Sequence, residues 1–326
     1  MKVALVTSWP PEICGIASNS VNVVNHRQPD VEYKIIEGCS WARPFRHEQV
    51  IQQAMDCDIV HLSYERNLDA GLGPGTFRKL REMGKKLVIT YHNIWPGDHQ
   101  DDWMLAEFDV VVSQDPKSPE ERGFTYIPQG IMNVETVPDD KVELKIGTAG
   151  FPTQFKGGHI LARVVGALGL NMLMFAPSSI HADADWMERV VKRYVPGAEV
   201  IREFLPQECI VNRLSECLVT AGLYATIAIQ SGISGSVRLM LGAKRPIVAS
   251  NCGMYRDLRD YEDEIYFIGS DVPTFENVLP IMTKAVEDAK AGRAKRPTRI
   301  VEDMDWWKCG KLYAEVYRKL MARDVD

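Results

Sequence analysis

Short apolar runs bounded by turn residues recur along the first part of the chain: VALVTS (3–8), DIVHLS (58–63), KLVITYH (86–92) and DVVVSQ (109–114). Runs of this length without polar alternation predict strands covered on both faces, as in a parallel sheet. Between them the period changes. TFRKLREM (76–83) carries Phe77, Leu80 and Met83 at helical spacing, and Gly84 follows as a stop signal. After the turn-rich, acidic NVETVPDDKVE a second set begins, with KIGTAGF (145–151), NMLMFAP (171–177), AEVIRE (198–203), YATIAI (224–229) and PIVAS (246–250). The helix QECIVNRLSECLV (207–219) lies among these, with Ile210, Val211, Leu214, Cys217 and Leu218 three or four residues apart. Strand and helix alternating twice over predicts an α/β chain of two doubly wound parallel-sheet domains, divided near residue 140. Open parallel sheets take ligands beyond the carboxyl ends of their strands, so two such domains facing across a cleft would build one site together.

The length of 326 residues fits that division, since two domains of about 150 residues are the expectation at this size. With 45% hydrophobic and 25% charged residues, the composition is that of a globular chain, not a disordered or fibrous one. The net charge is -6, and the Lys and Arg residues are scattered instead of forming a stripe, so there is no strong nucleic-acid signature. Cys14, Cys39, Cys57, Cys209, Cys217, Cys252 and Cys309 are odd in number and never spaced CxxC, which argues against a disulfide framework or a zinc knuckle. The start MKVALVTSWPP runs straight into a strand, and no window approaches the roughly 20 apolar residues of a spanning helix. The expectation is a cytoplasmic protein without a transmembrane segment, with peripheral contact to the inner face of a membrane left open; oligomeric state is not legible.

One stretch concentrates candidate chemistry. QSGISGSVRLMLGAKRPIVASNCG (230–253) reads as the end of strand YATIAIQ, a loop SGISGS, a helix VRLMLGAK and the strand PIVAS. Such a loop offers backbone N–H groups and the positive end of a helix dipole, a common way to hold phosphate. Ser231, Ser234 and Ser236 add hydroxyls, Gly232 and Gly235 permit close approach, and Arg238 in the first turn brings a full positive charge. The same residues also make a tight turn with a serine N-cap. In GTAGFPTQFKGG (147–158) a strand end with Gly150 leads to Lys156, a mobile cation of phosphate-binding type or a solvated loop lysine. Neither loop is GxGxxG or GxxxxGK[ST], which argues against dinucleotide oxidoreductases and P-loop kinases.

In the first half, PPEICGIASNS follows the first strand, and Gly15 with Ile16 would bring backbone N–H groups to a ligand or simply make a turn. His92 ends one strand and has the best claim to touch a substrate; His61 and Glu65 have a weaker claim, against a reading as internally partnered polar groups. His92, Asp98, His99, Asp101 and Asp102 fit no metal-ligand spacing, so no metal is expected. Arg43, Arg46 and His47 in WARPFRHEQ would face an anionic acceptor or begin a solvated helix. Trp95, Trp103, Trp306 and Trp307 suit packing better than sugar stacking.

These motifs, in this order, resemble the retaining nucleotide-sugar glycosyltransferases of the GT-B fold, above all family 4 (glycosyl transferases group 1). PPEICGIAS resembles their N-terminal glycine loop, DIVHLSYE and LVITYHN their histidine-bearing strand ends, YIPQGI their interdomain segment, GTAGFPTQFKGG their lysine loop and SGISGSVRLMLGAKRPIVAS their donor loop. DMDWWKCGKLYAEVYRKL resembles their terminal helix. The resemblance implies two Rossmann-like domains, acceptor-binding over 1–140 and donor-binding over 141–303, with 304–326 returning to the first. It implies that Lys156 neutralises the diphosphate, that the 231–236 loop with Arg238 holds phosphate and sugar, and that Gly15 and His92 lie near phosphate and transferred sugar. One departure stands out: where many members carry two glutamates with seven residues between them, this chain has Ser231 and Leu239.

The expected activity is transfer from a nucleoside diphosphate sugar, UDP- or GDP-linked, to an acceptor hydroxyl. Retention of configuration and independence of metal and of any other cofactor are implied with it. The alternative is a non-catalytic module that binds a nucleotide or glycan, and GT-B folds also host sugar-nucleotide epimerases. A glycan, a lipid-linked, small-molecule or modified-DNA acceptor would fit the donor half equally well.

Overall fold

The computed structural model describes residues 1–38, 46–65, 72–92, 101–178, 183–224, 233–270 and 272–322. The chain divides into two compact units. One takes in Met1–Gly130 and the segment from Trp306 on; the other takes in Ile131–Asp305 apart from a short piece ending at Ile233. The divisions fall after Gly130 and after Asp305, against the expected 140 and 303.

The first unit is built on a six-stranded sheet of β1 (Lys2–Thr7), β2 (Glu32–Glu37), β3 (Ile59–Tyr64), β4 (Lys86–Tyr91), β5 (Val110–Ser113) and β6 (Thr125–Tyr126), in the order β2-β1-β3-β4-β5-β6. Every pairing is parallel. Ala4, Val6, Val60, Leu62, Leu87 and Ile89 from the central strands pack with Phe77, Leu80 and Phe108 in one buried cluster. Each such fully buried aliphatic stabilises the fold by about 1.5–3 kcal/mol. Helix Pro74–Glu82 presents Phe77 and Leu80 to that core; proline opens it and Gly84, at φ 75°, ends it as the sequence predicts. The terminal helix Trp306–Ala322 belongs to this unit, where Arg318 grips Asp30 at 2.8 and 2.9 Å and Tyr33 meets Tyr317 hydroxyl to hydroxyl at 3.2 Å.

The second unit carries β7 (Glu143–Ala149), β8 (Asn171–Phe175), β9 (Glu199–Ile201), β10 (Cys217–Gly222), β11 (Ile247–Ala249) and β12 (Tyr266–Phe267) in a six-stranded sheet of order β12-β11-β10-β7-β8-β9. It too is parallel throughout. The chain is thus α/β, with two doubly wound parallel sheets. One strand lies elsewhere than expected. The helix read over 207–219 ends at Ser215, and the following CLVTAG is the strand, hydrogen-bonded to β7 and β11. Tyr224, read as the start of a strand, lies just beyond that strand, and 225–229 lie outside the described residues. Cys217 and Leu218 satisfy the helical period and the continuous apolar run of a buried strand alike, and periodicity does not separate these. No helix among the described residues is long and apolar enough to cross a membrane.

Candidate functional site

In the second sheet the chain proceeds outward from β7 through β8 to β9, then returns to lay β10 on the other side of β7. The strand order reverses between β7 and β10, and doubly wound sheets hold ligands at the carboxyl end of such a reversal. Gly150 follows β7 with φ 138°, a conformation L side chains rarely adopt, and a Cβ there would lie 3.0 Å from Lys156 Nζ and 3.1 Å from Ser236 Cβ. Glycine therefore lets the strand end pass directly beneath both side chains. Lys156 ends a short turn, Gln154–Lys156, and Gly157, left-handed at φ 63°, starts the next helix. This delivers the lysine back to the strand ends, where Nζ donates to Ser236 Oγ at 3.2 Å and lies 5.7 Å from the centre of the Tyr224 ring.

Lys156 has no carboxylate partner among the described residues; its contacts are a hydroxyl and an aromatic face. Ser236 sits in the first turn of helix Gly235–Gly242. Ser234 precedes this helix without capping it. Its buried Oγ instead lies 3.0 Å from both Tyr224 OH and Ser236 Oγ, so the N-cap side chain makes no bond to the helix start. A half-buried cation, two hydroxyls and a helix N-terminus thus lie together, a combination whose chemistry suits an oxyanion.

Arg238 has a different place from the one expected of it. It is 3% exposed and ion-paired with Asp257, so it is an interior charge and not an open cation at the loop. The reason is helical phase: Arg238 shares its face with Leu241 and Gly242, all buried, and the segment Gly253–Tyr261 supplies the neutralising carboxylate. Ser231, Gly232 and Arg43 lie outside the described residues, as does the segment with Asp98 and His99.

The first unit has its own reversal, between β1 and β3. Helix Gly15–Asn25 opens beyond the end of β1, with Cys14 as N-cap accepting the Ile16 backbone N–H on Sγ at 3.3 Å. Gly15 is exposed, while Ile16 is buried and its N–H is already engaged. Glu65 is the first residue past β3 and half-buried. His92 is the first residue past β4, with Nε2 2.9 Å from Ser63 Oγ and Nδ1 3.3 Å from Gln114 Oε1. Because the amide oxygen only accepts, Nδ1 carries the proton and Nε2 takes one from Ser63. Burial lowers the pKa of His92 to about 4, against a smaller upward pull from Gln114, so the ring is neutral at pH 7.

His61 is not at a strand end. It lies within β3, 2% exposed, between Tyr317 OH (2.7 Å from Nδ1) and Thr90 Oγ1 (2.8 Å from Nε2). It is an internally partnered group joining the sheet to the terminal helix and does not face an acceptor. Burial, with a smaller contribution from His92, pushes its pKa down to about 3. The unfolded chain then takes up a proton near pH 6.5 that the folded chain refuses until about pH 3, so stability falls as pH drops through that window. At pH 5 the His61 share is about 2 kcal/mol. Chemical denaturation of His61→Gln at pH 7 and pH 5 checks this: the variant should lose that part of the pH dependence, whatever its stability at pH 7, and an unchanged dependence would refute it.

Sequence reading missed Tyr224, Ser250, Tyr255 and Asp257. Tyr224 stands two residues past β10, and its ring meets Tyr255 edge-on at 5.4 Å. An aromatic residue ahead of a glycine- and serine-rich loop was a usable signal for it; nothing in the sequence singles out Asp257. No group of three metal-ligating side chains occurs among the described residues.

No protein-family model matches the chain, and no curated protein matches it by sequence. Solved structures do. Anabaena HepE in complex with UDP-glucose superposes with a TM-score of 0.72 at 12% identity, covering 98% of this chain and 100% of HepE. Sucrose-phosphate synthase from Thermosynechococcus elongatus gives 0.70 at 14% identity, over 99% of this chain and 100% of that one. The trehalose-6-phosphate synthase OtsA gives 0.65 at 10% identity, over 98% and 99%. With two parallel six-stranded sheets and these neighbours over nearly its whole length, the chain has the fold of the GT-B glycosyltransferases.

Proposed function

We propose that the chain is a glycosyltransferase that moves a sugar from a nucleoside diphosphate sugar to an acceptor hydroxyl, retaining configuration and needing no metal. The observation that carries this reading is Lys156, a half-buried ammonium at the strand reversal of the second sheet, without a carboxylate partner among the described residues and bonded to Ser236 in the first turn of a helix. Departure of a nucleoside diphosphate builds negative charge on phosphate oxygens. A fixed cation, a hydroxyl and uncapped helix N–H groups stabilise that charge as it develops. The donor belongs to the second unit and the acceptor to the first, where neutral His92 stands at the end of β4. Retention follows if the leaving phosphate oxygen takes the proton of the incoming hydroxyl on the same face of the sugar. The reading includes a cytoplasmic location, where thiols such as the free Cys14 and Cys57 stay reduced.

HepE was solved with UDP-glucose, which makes the uridine nucleotides the first donors to try. Thermal unfolding against UDP, GDP, ADP and dTDP and their sugars, each with and without EDTA, tests the reading. A ligand at about 100 times its Kd adds about 2.7 kcal/mol to the folded state. The expected result is a shift with one base that chelator leaves unchanged; no shift with any of them refutes it. A non-catalytic binding module is the second reading, favoured by the placement of Ser231 and Leu239 where many relatives of this fold carry glutamates. Donor hydrolysis or transfer separates the two, since a binding module performs neither.

A further inference from the structure

Three side chains in the second unit close a ring with the lysine. Lys156 Nζ donates to Ser236 Oγ at 3.2 Å, Ser236 Oγ is 3.0 Å from Ser234 Oγ, Ser234 Oγ is 3.0 Å from Tyr224 OH, and the Tyr224 ring lies beneath Nζ at 5.7 Å. Tyr224 is itself held on several sides. Its backbone N–H donates to Ser250 Oγ at 2.8 Å, Phe155 stacks on its ring at 6.3 Å and Tyr255 closes the edge at 5.4 Å. It is 4% exposed, so the hydroxyl has little access to water and takes its direction from the protein.

We infer that Tyr224 is a positioning residue for the diphosphate: its hydroxyl sets the direction of the Ser234–Ser236 hydrogen-bond chain so that Ser236 presents a proton to the ligand. The inference rests on the reading above. Each serine has one proton to give. If Tyr224 O–H donates to Ser234, Ser234 is free to donate to Ser236, and the Ser236 proton is left to point outward beside the lysine ammonium. Hydrogen bonds aligned in series polarise one another, so the last donor meets the anion strengthened. Without the Tyr224 hydroxyl, Ser234 keeps only Tyr255 as a phenolic partner, the sense of the chain is no longer set by Tyr224, and Ser236 can turn its proton back toward Ser234. The aromatic ring is a separate contribution: it supports the ammonium from below without neutralising it, which a carboxylate in that place would do.

Calorimetric titration with inorganic pyrophosphate, which carries the diphosphate and nothing else, tests the inference on the full chain. Tyr224→Phe keeps the ring and removes the hydroxyl; it should weaken pyrophosphate about tenfold, with a fall in melting temperature no larger than the loss of one buried hydrogen bond gives. Ser234→Ala should weaken it by a similar factor. Because both changes break one chain, the double variant should be no weaker than either single variant, a coupling that a purely packing role would not produce. Pyrophosphate affinity equal to wild type in Tyr224→Phe, or losses that multiply in the double variant, would overturn the inference and leave the proposed function standing. A wild-type protein that binds neither pyrophosphate nor any nucleoside diphosphate would remove both.

Discussion

Replacing Lys156 with alanine is expected to lower turnover by about 10²- to 10³-fold, the scale on which a single preorganised charge or donor acts on a developing anion. Its effect on stability should be small, and the structure says why. The lysine has no ion-pair partner among the described residues, so its removal strands no opposite charge, and the hydroxyl it donates to keeps Ser234 as a neighbour. Holding a half-buried cation without a counter-ion is itself costly to the fold, so melting temperature should be unchanged or slightly raised. Activity falling while stability holds is the signature of a group kept for its ligand. Initial rates with the donor found by thermal shift, together with the melting temperature of the free variant, check both halves of the prediction. Lys156→Arg should recover part of the rate, since charge is retained while the fork of the guanidinium fits a point-charge position poorly. Near wild-type turnover in Lys156→Ala would remove the lysine from the mechanism.

The order of strands was legible because strands buried on both faces have no polar face to alternate with: Val3 to Val6 and Leu87 to Ile89 are nearly inaccessible and read as unbroken apolar runs. Where that condition failed, so did the reading. EYKIIE (32–37) is β2, at the edge of its sheet, half-covered and interrupted by charge, and it carried no such run. CLVTAG was absorbed into the preceding helix because its first residues continue the helical period. The site divides the same way. Lys156 was legible from its own neighbourhood, since the glycine after it takes the left-handed turn that returns the side chain to the strand ends. His61 was placed too near the strand end: it lies three residues before the end of β3, and that difference puts it in the core, internally partnered as the other reading of it had it. Arg238 and Asp257 meet only because two segments fold together, and local sequence carries no trace of that.

That buried pair yields the second large effect. Asp257→Ala should destabilise the protein by about 3–5 kcal/mol, because it leaves the Arg238 charge in a site where the two side chains are 4% and 1% exposed. Removing both charges is a different experiment. The double variant Arg238→Met, Asp257→Leu fills the same space with apolar atoms and strands no charge, so it should recover most of the stability lost by the single variant. Denaturant unfolding of the three proteins measures this, and a double variant as unstable as Asp257→Ala would mean that the pair shapes the segment Gly253–Tyr261 in some way apolar packing does not replace. The same set also decides what Arg238 does for the ligand. Its helix carries Ser236 at the other end of the first turn, so a single variant that leaves Arg238 charged and unpaired should disturb nucleotide binding through that helix. If the arginine acts only by holding the helix, the double variant regains nucleotide affinity along with stability. If its guanidinium instead reaches the phosphate, stability returns and affinity does not, and the electrostatic role expected from the sequence would return to Arg238.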